Sequence, residues 1–206
     1  QHSPDGPADD IARDFDIGLV GCARAQRLSP TRAADLYVSP GFRRRRAIAE
    51  AAGASWYVLS AEHGLVAPDE WLAPYDLALA ETPVDYRTAR GRWAVARLVH
   101  KEGDLRGRRI LVLAPAPYAD PLRPALLAAG AELEEPLTGL RQGEQGAWLV
   151  DEMARRKLSP TAAGQGPAPT PTSPLRAHHL PTAREIARQQ EAVIEALLDY
   201  RGSGPD

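Results

Sequence analysis

WYVLSAEHGLVAPDEWLAPYDLAL, residues 56–79, joins a hydrophobic segment to a strongly polar connection. Its first part, WYVLSA at 56–61, is a short unbroken apolar run, which is typical of a strand buried on both faces of a parallel sheet. Five acidic residues and no lysine or arginine follow between positions 62 and 81. A buried strand that ends in such a connection indicates an α/β sheet with polar groups gathered beyond the strand ends.

Segments of alternating type flank this strand on both sides. The predicted strands are 17–21, 56–61, 108–115 and 131–137, and the predicted helices are 39–53, 82–103, 118–130 and 142–157. Strands that alternate with helices form parallel sheets, because parallel neighbours need a long crossover that is usually helical and right-handed. The sequence therefore predicts an α/β fold, a three-layer sandwich with a four-stranded, mainly parallel sheet.

Two of the predicted helices carry start signals. Ser39 precedes Pro40, which is the usual order of an N-cap and a first helical position. Thr82 and Asp85 have the spacing of a capping box. We therefore expect helices to begin at these two places.

The composition excludes several classes of protein. Apolar residues make up 44% of the 206 residues, enough for the core of one domain. A formal net charge of −2 disfavours a dedicated duplex-DNA binder, whose domain is normally basic. No membrane-span or signal-peptide pattern occurs, and the single cysteine, Cys22, allows no intramolecular disulfide or cysteine-based zinc site. We expect a cytoplasmic protein without metal or cofactor and without a membrane partner.

The domain boundaries follow the shifts in composition. A loose N-terminal arm is predicted at 1–15, the α/β domain at 16–157, a Pro/Ala/Thr-rich linker at 158–181 and a C-terminal helix at 182–201. The last helix carries one apolar stripe, which a lone helix cannot bury. It is expected to dock on its own domain, to form a homodimer with a second chain or to bind another partner.

Candidate chemical groups cluster after the predicted strands, where open parallel sheets keep their ligand crevices. Glu62 and His63 follow the second strand directly, and a carboxylate beside an imidazole suits acid–base work near neutral pH. Asp76 stands after a proline turn that would fix its position. His63 could instead bond a backbone carbonyl at the strand end, and Asp76 could instead stabilise its turn. Cys22 is more often a buried small side chain than a nucleophile.

Arginines are concentrated in the first part of the chain. Seven lie between positions 17 and 60, against two acidic residues. Arg24 and Arg27 come directly after the first strand and are candidates for holding a phosphate or carboxylate. The run 43–46 is explained as readily by a solvated helix face, because four successive residues point all round a helix.

A pattern of short motifs resembles a little-characterised family of small bacterial and phage proteins of unknown function. The motifs are LVGCARAQR, DLYVSPGF, VLSAEHGLV, APYDLAL and GLRQGEQGAWL, and together they span roughly residues 17–150. One departure is Gln26, where members of that family commonly carry lysine. The family in turn is similar to the uracil-DNA-glycosylase-like superfamily, which includes a domain of archaeosine synthase.

This resemblance implies a four-stranded three-layer sandwich with a nucleobase or nucleotide pocket at the strand ends. A first hypothesis is thus an enzyme that acts at the N-glycosidic bond of a nucleoside or nucleotide, releasing or exchanging the base. Its catalytic groups would be Glu62, His63 and Asp76. Predicted substrate contacts are Cys22, Arg24, Arg27, Tyr37, Ser39, Phe42, Ser60, Tyr75, Tyr118 and Gln145, with Tyr37, Phe42 or Tyr75 stacking on the base.

Two alternatives remain from the sequence. One is a nucleic-acid-directed module that recognises or modifies a base, which the net charge disfavours. The other is a non-catalytic protein that senses a nucleotide and recruits a partner through its C-terminal helix. Fold resemblance by itself does not choose among the three.

Overall fold

The computed structural model describes residues 14–159, which belong to one compact unit. Most of the predicted N-terminal arm, nearly all of the linker and the whole C-terminal helix lie outside the described residues. The homodimer expected through that helix therefore stays a prediction.

A five-stranded, mostly parallel sheet forms the centre of the described chain. Its strands are β1 (Phe15–Gly21), β3 (Gly53–Ser60), β4 (Gly64–Val66), β6 (Arg109–Leu113) and β7 (Glu132–Glu134), in the order β4-β3-β1-β6-β7. Neighbours are parallel except for β4, which runs antiparallel to β3. A separate antiparallel pair joins β2 (Thr31–Arg32) to β5 (Trp71–Leu72). The predicted α/β class and the mainly parallel sheet are confirmed.

Five helices accompany the strands within residues 14–159. They are α1 (Ala33–Leu36), α2 (Pro40–Ala52), α3 (Val84–Glu102), α4 (Ala116–Ala128) and α5 (Gln142–Arg155), with a short 3-10 turn at Leu79–Glu81. The four helices predicted from the sequence correspond to α2, α3, α4 and α5. The one-turn helix α1 was not predicted, because four residues are too few to show a helical period.

The predicted count of four strands is wrong, because the connection after β3 contains a fifth. Gly64 has φ +70° and turns the chain back on itself, so that Leu65 pairs with Leu59 and Val66 with Val58. Leu65 and Val66 are buried. Three residues show no periodicity that could separate an edge strand from a loop, which is why the sequence did not reveal β4.

The core divides into two hydrophobic clusters, and the strands alternate between them. In β1, Val20 belongs to the first cluster, whereas Ile17 and Leu19 belong to the second. Residues of α2 and α5 complete the first cluster, and residues of α3 and α4 complete the second. The two-residue period of a strand explains this division.

Of the two predicted helix starts, one is confirmed and one is wrong. The Ser39 Oγ accepts a hydrogen bond from the Phe42 N–H at 3.1 Å, as an N-cap does. Helix α3 instead begins after Pro83, and the Thr82 hydroxyl donates to the Leu79 carbonyl at 2.7 Å. The Thr82 backbone N–H also donates to the Leu79 carbonyl, at 3.2 Å, so the expected capping box between Thr82 and Asp85 does not form.

Helices α3 and α4 approach each other closely at Gly91. A Cβ at this position would lie 2.3 Å from the carbonyl oxygen of Pro121 and 2.5 Å from its carbonyl carbon. These are backbone atoms of α4, so no side-chain rotation could make room. The absence of a side chain at residue 91 therefore fixes the spacing of the two helices.

We predict that Gly91→Ala destabilises the protein by about 1–3 kcal/mol, because α4 must move away from α3 to avoid the overlap. Urea denaturation followed by circular dichroism measures this change. Gly146→Ala is the control, since Gly146 lies within α5 and nothing stands within 4 Å of its Cβ position. That variant should be neutral or more stable. Equal behaviour of the two variants would contradict a close crossing.

Candidate functional site

Three strands deliver polar residues to one edge of the sheet. β1 ends at Gly21 and is followed by Cys22, β3 ends at Ser60, and β6 leads into α4, whose first turns carry Tyr118. These strands are mutually parallel, so their carboxyl ends lie at the same edge. The candidate site is built there.

A hydrogen-bonded group of side chains, which we term the hydroxyl–thiol cluster, occupies this edge. Its members are Cys22, Tyr37, Ser60, Tyr75 and Tyr118. The Tyr75 hydroxyl oxygen lies 2.9 Å from the Tyr37 hydroxyl oxygen and 2.9 Å from the Ser60 Oγ. The Cys22 Sγ lies 3.2 Å from the Tyr118 hydroxyl oxygen and accepts a longer contact of 3.5 Å from Tyr75. The sequence predicted all five as substrate contacts, and the structure brings them together.

Neighbouring loops hold Tyr75 at the centre of this cluster. The Tyr75 backbone N–H donates to the Gln26 Oε1 at 3.0 Å, and its hydroxyl accepts from the Ala61 N–H at 3.2 Å. The backbones of Gln26 and Tyr37 also pair in an isolated antiparallel β-bridge. Gln26 stands where the resembled pattern commonly has lysine, and here its amide positions the tyrosine loop.

Burial keeps the cluster tyrosines protonated. It is the largest cause that raises the pKa of Tyr37, Tyr75 and Tyr118 well above the usual range, and a negative charge on Cys22 raises it further. The three hydroxyls can therefore donate hydrogen bonds at any physiological pH. A ligand at this edge would meet neutral phenols and not phenolates.

His63 packs beside the cluster as a neutral imidazole. Its ring lies edge-on to Tyr75 at a centroid distance of 5.4 Å, and its backbone N–H donates to the Ser60 Oγ at 3.1 Å. Burial, and next the positive charge of Arg90, lower the pKa of His63 from 6.5 to about 4. At neutral pH this side chain offers one N–H and one lone pair. Glu62, between Ala61 and His63 in the chain, is half-buried.

Two arginines reach the same edge from different helices. Arg90 of α3 donates to the Ser60 carbonyl at 2.6 Å and makes a longer contact with the Tyr86 hydroxyl at 3.5 Å. Arg45 of α2 donates to the Gly21 carbonyl at 3.2 Å, and its Nε is buried with no hydrogen-bond partner among the described residues. Burial lowers the pKa of both guanidinium groups. Positive charge is therefore held next to the cluster.

A small cavity adjoins the cluster. Its empty space is about 270 Å³, including the part that is open to solvent, and Ser60, Arg90 and Tyr118 are among its lining residues. The enclosed part is only about 20 Å³, which is room for about one water molecule, so a ligand head would have to enter from the open side.

The other predicted site residues lie apart from the cluster's hydrogen bonds. Arg24 and Asp76 form an exposed ion pair at 3.6 Å, with 74% and 89% of their side chains exposed. Arg27 donates to the Asp35 carbonyl, Ser39 caps α2, and the Gln145 amide donates to the Leu140 carbonyl. Phe42 is fully buried against Tyr37, so its ring has no surface on which a base could stack.

Arg45 and Arg90 were not among the predicted site residues, although helical spacing could have indicated them. Arg90 lies in line with buried Ala94 and Leu98, one and two turns further along α3. Arg45 follows buried Phe42 by three residues and precedes buried Ala49 by four. A basic residue within an apolar stripe faces the core, which distinguishes it from a solvated neighbour.

Two further properties concern the described residues only. Within 14–159, His, Cys, Asp and Glu side chains nowhere gather in groups of three or more that suit a metal ion. In the same part of the chain no helix has the length and apolar character that crossing a bilayer demands.

Comparison with known proteins gives one match. Residues 17–151 match the model described as "Family of unknown function (DUF6884)". No curated protein and no solved structure matches the chain. The matched segment contains every residue of the hydroxyl–thiol cluster.

We predict that Tyr75→Phe lowers the free energy of unfolding by about 1–3 kcal/mol, because it leaves several polar partners in the cluster unsatisfied. Tyr86→Phe is the matched control, since that hydroxyl makes a single long contact with Arg90. Its cost should stay below about 1 kcal/mol. Urea titration of both variants gives the comparison, and a smaller loss for Tyr75→Phe than for the control would refute the central role of Tyr75.

We predict that the protein loses stability as the pH falls from about 6.5 to about 4, because His63 resists protonation in the folded state while the unfolded chain takes up the proton. Above this window the contribution is constant. His63→Gln should flatten this part of the stability profile, whereas His100→Gln, at an exposed helical position, should not. Denaturation midpoints at half-unit pH steps provide the measurement. A wild-type slope retained in His63→Gln would exclude His63 as its source.

Proposed function

Since the chain belongs to DUF6884, a family of unknown function, we propose from the site itself that it is an enzyme acting at the N-glycosidic bond of a nucleoside or nucleotide. The observation that carries this proposal is the hydroxyl–thiol cluster beside a cavity lined by Arg90 at the strand ends. Donors, an aromatic ring and a cation at one edge suit a base with ring nitrogens and carbonyl oxygens.

Roles for the residues follow from what the reaction needs. In hydrolysis, a water oxygen bonds to the anomeric carbon as the bond from that carbon to the base nitrogen breaks, and the base leaves with a proton. The hydroxyls of Tyr75 and Tyr118 would donate hydrogen bonds to the departing base, because both stay protonated. His63 is neutral and would position the base through its N–H.

Glu62 is our choice for the carboxylate that stabilises the developing positive charge on the sugar and orients the water. Its backbone adjoins Ala61, whose N–H contacts the central Tyr75 hydroxyl. Asp76, the other predicted carboxylate, has an exposed side chain paired with Arg24, so a role in chemistry would require that loop to move.

The finer structural relationships belong to the same proposal. A three-layer sandwich is supported by the division of the core into two clusters, each with its own pair of helices. A likeness to the uracil-DNA-glycosylase-like superfamily is supported by the motif pattern and by the mainly parallel sheet with polar residues at its strand ends. Both are compatible with a base-directed site.

A mass-spectrometric screen for free base tests the activity, with ribo- and deoxyribonucleosides and their 5′-monophosphates as substrates. We expect the wild type to release base and Glu62→Gln to be slower by at least about 100-fold, the usual scale for loss of an acid–base group. Glu81→Gln is the control, because it removes the same charge from an exposed position in the same connection. Asp76→Asn tests the competing carboxylate.

The outcomes separate the alternatives. Full turnover in Glu62→Gln with loss in Asp76→Asn would transfer the carboxylate role to Asp76. Tight retention of a nucleotide without turnover would indicate a sensor. If neither turnover nor binding occurs with any compound, while single-stranded oligonucleotides bind in a salt-dependent manner, the site is directed at nucleic acid.

A further inference from the structure

Four partly buried arginines among the described residues each contact two carboxylates. Arg46 contacts Asp35 and Glu50, and Arg108 contacts Asp16 and Glu102. Arg123 and Arg156 likewise each contact two carboxylates. Each of these guanidinium groups is therefore neutralised within the protein.

Arg45 and Arg90 differ from these four arginines. Neither forms an ion pair with any carboxylate in residues 14–159, although Arg90 is 9% exposed and the Arg45 Nε is fully buried. Their hydrogen bonds go to neutral acceptors, namely backbone carbonyls and one tyrosine. Burying an uncompensated charge is costly, so two such groups in one place require a counter-charge.

The two groups bind backbone carbonyls at the ends of neighbouring strands. Arg45 binds the carbonyl of Gly21, Arg90 binds that of Ser60, and Gly21 pairs in register with Leu59, the residue before Ser60. Neighbouring strands are about 4.8 Å apart, so the two carbonyls mark the ends of adjacent strands. Cys22 follows Gly21 directly, and its backbone N–H donates to the Leu59 carbonyl at 3.1 Å, which places it beside the same strand ends.

We propose that Arg45 and Arg90 form an anion subsite at the carboxyl ends of β1 and β3 that binds the phosphate of a nucleoside 5′-monophosphate. An oxyanion supplies both things that are missing, an acceptor for the Arg45 Nε and a counter-charge for the pair. A water molecule would supply only the acceptor. The Tyr118 and Ser60 hydroxyls, which line the adjoining cavity, add neutral donors.

The phosphate assignment rests on the proposed function, whereas the anion subsite itself does not. If the chain acts on nucleotides, the phosphate is the group that two arginines would hold, and the base would lie along the cluster. Arg24 and Arg27, the phosphate candidates from the sequence, are exposed residues of the loop that follows β1 and are not part of this subsite. The subsite would make the protein bind a nucleotide more tightly than the corresponding nucleoside.

Thermal denaturation with inorganic phosphate tests the subsite directly. We expect phosphate to raise the Tm of the wild type and of Arg43→Gln, an exposed charge removal on the same helix. Arg45→Gln should lose this shift and bind phosphate at least about tenfold more weakly, as befits loss of one charge-assisted pair. Without phosphate, Arg45→Gln should be as stable as the wild type or more so, because an uncompensated charge has been removed.

Arg90→Lys serves as the second variant, because it keeps the positive charge but lacks the planar guanidinium group that can donate two parallel hydrogen bonds. It should fold and bind phosphate more weakly than the wild type. Acetate at matched ionic strength controls for a general anion effect. Equal Tm shifts with phosphate in wild type and Arg45→Gln would overturn the subsite, as would no shift in the wild type. An equal shift with acetate would overturn the phosphate assignment.

Comparison of a nucleoside with its 5′-monophosphate separates this inference from the activity. The wild type should bind the monophosphate at least about tenfold more tightly, and Arg45→Gln should bind the two alike. Phosphate binding without base release from any substrate would keep the subsite and refute the N-glycosidic activity. Base release with no preference for monophosphates would keep the activity and refute the assignment of the nucleotide phosphate to this subsite.

Discussion

The hydroxyl of Tyr75 is the contact on which the arrangement of the site depends. It joins Ser60 and Ala61 at the end of β3, Cys22 after β1, and Tyr37 before α2. Cys22 and Ser60 are already neighbours because β1 pairs with β3, whereas Tyr37 and Tyr75 come from separate segments. One buried phenol thus satisfies several neighbours at once, and such networks impose a single geometry because each partner depends on the others.

The strand and helix pattern could be predicted from the sequence, because apolar runs and helical periods reflect burial directly. The edge loops could be predicted to gather polar side chains, and Cys22, Ser60 and Tyr118 are found together there. β4 could not be predicted, since pairing with β3 depends on the turn at Gly64 and not on any local period. The false capping box shows the same limit, because Pro83 moved the helix start by one residue.

Charge is the property that the sequence reveals least. The run of arginines at 43–46 looks uniform, yet Arg46 is neutralised by two carboxylates while Arg45 points to a strand end with none among the described residues. Arg24 looked like an anion ligand and is an exposed partner of Asp76. Whether an arginine is paired or unpaired depends on its position on the helix and on the element that it faces. Neither can be read from the local sequence.

The crossing at Gly91 gives the cavity an unusual kind of wall. Arg90 and Tyr118 come from helices that meet backbone to backbone, and the cavity is lined by Gly91 and Pro121 themselves. Main-chain atoms cannot change rotamer, so this side of the opening has a fixed width. Any change in the size of the cavity would therefore have to come from its side-chain walls, such as Leu79, Arg90 and Tyr118.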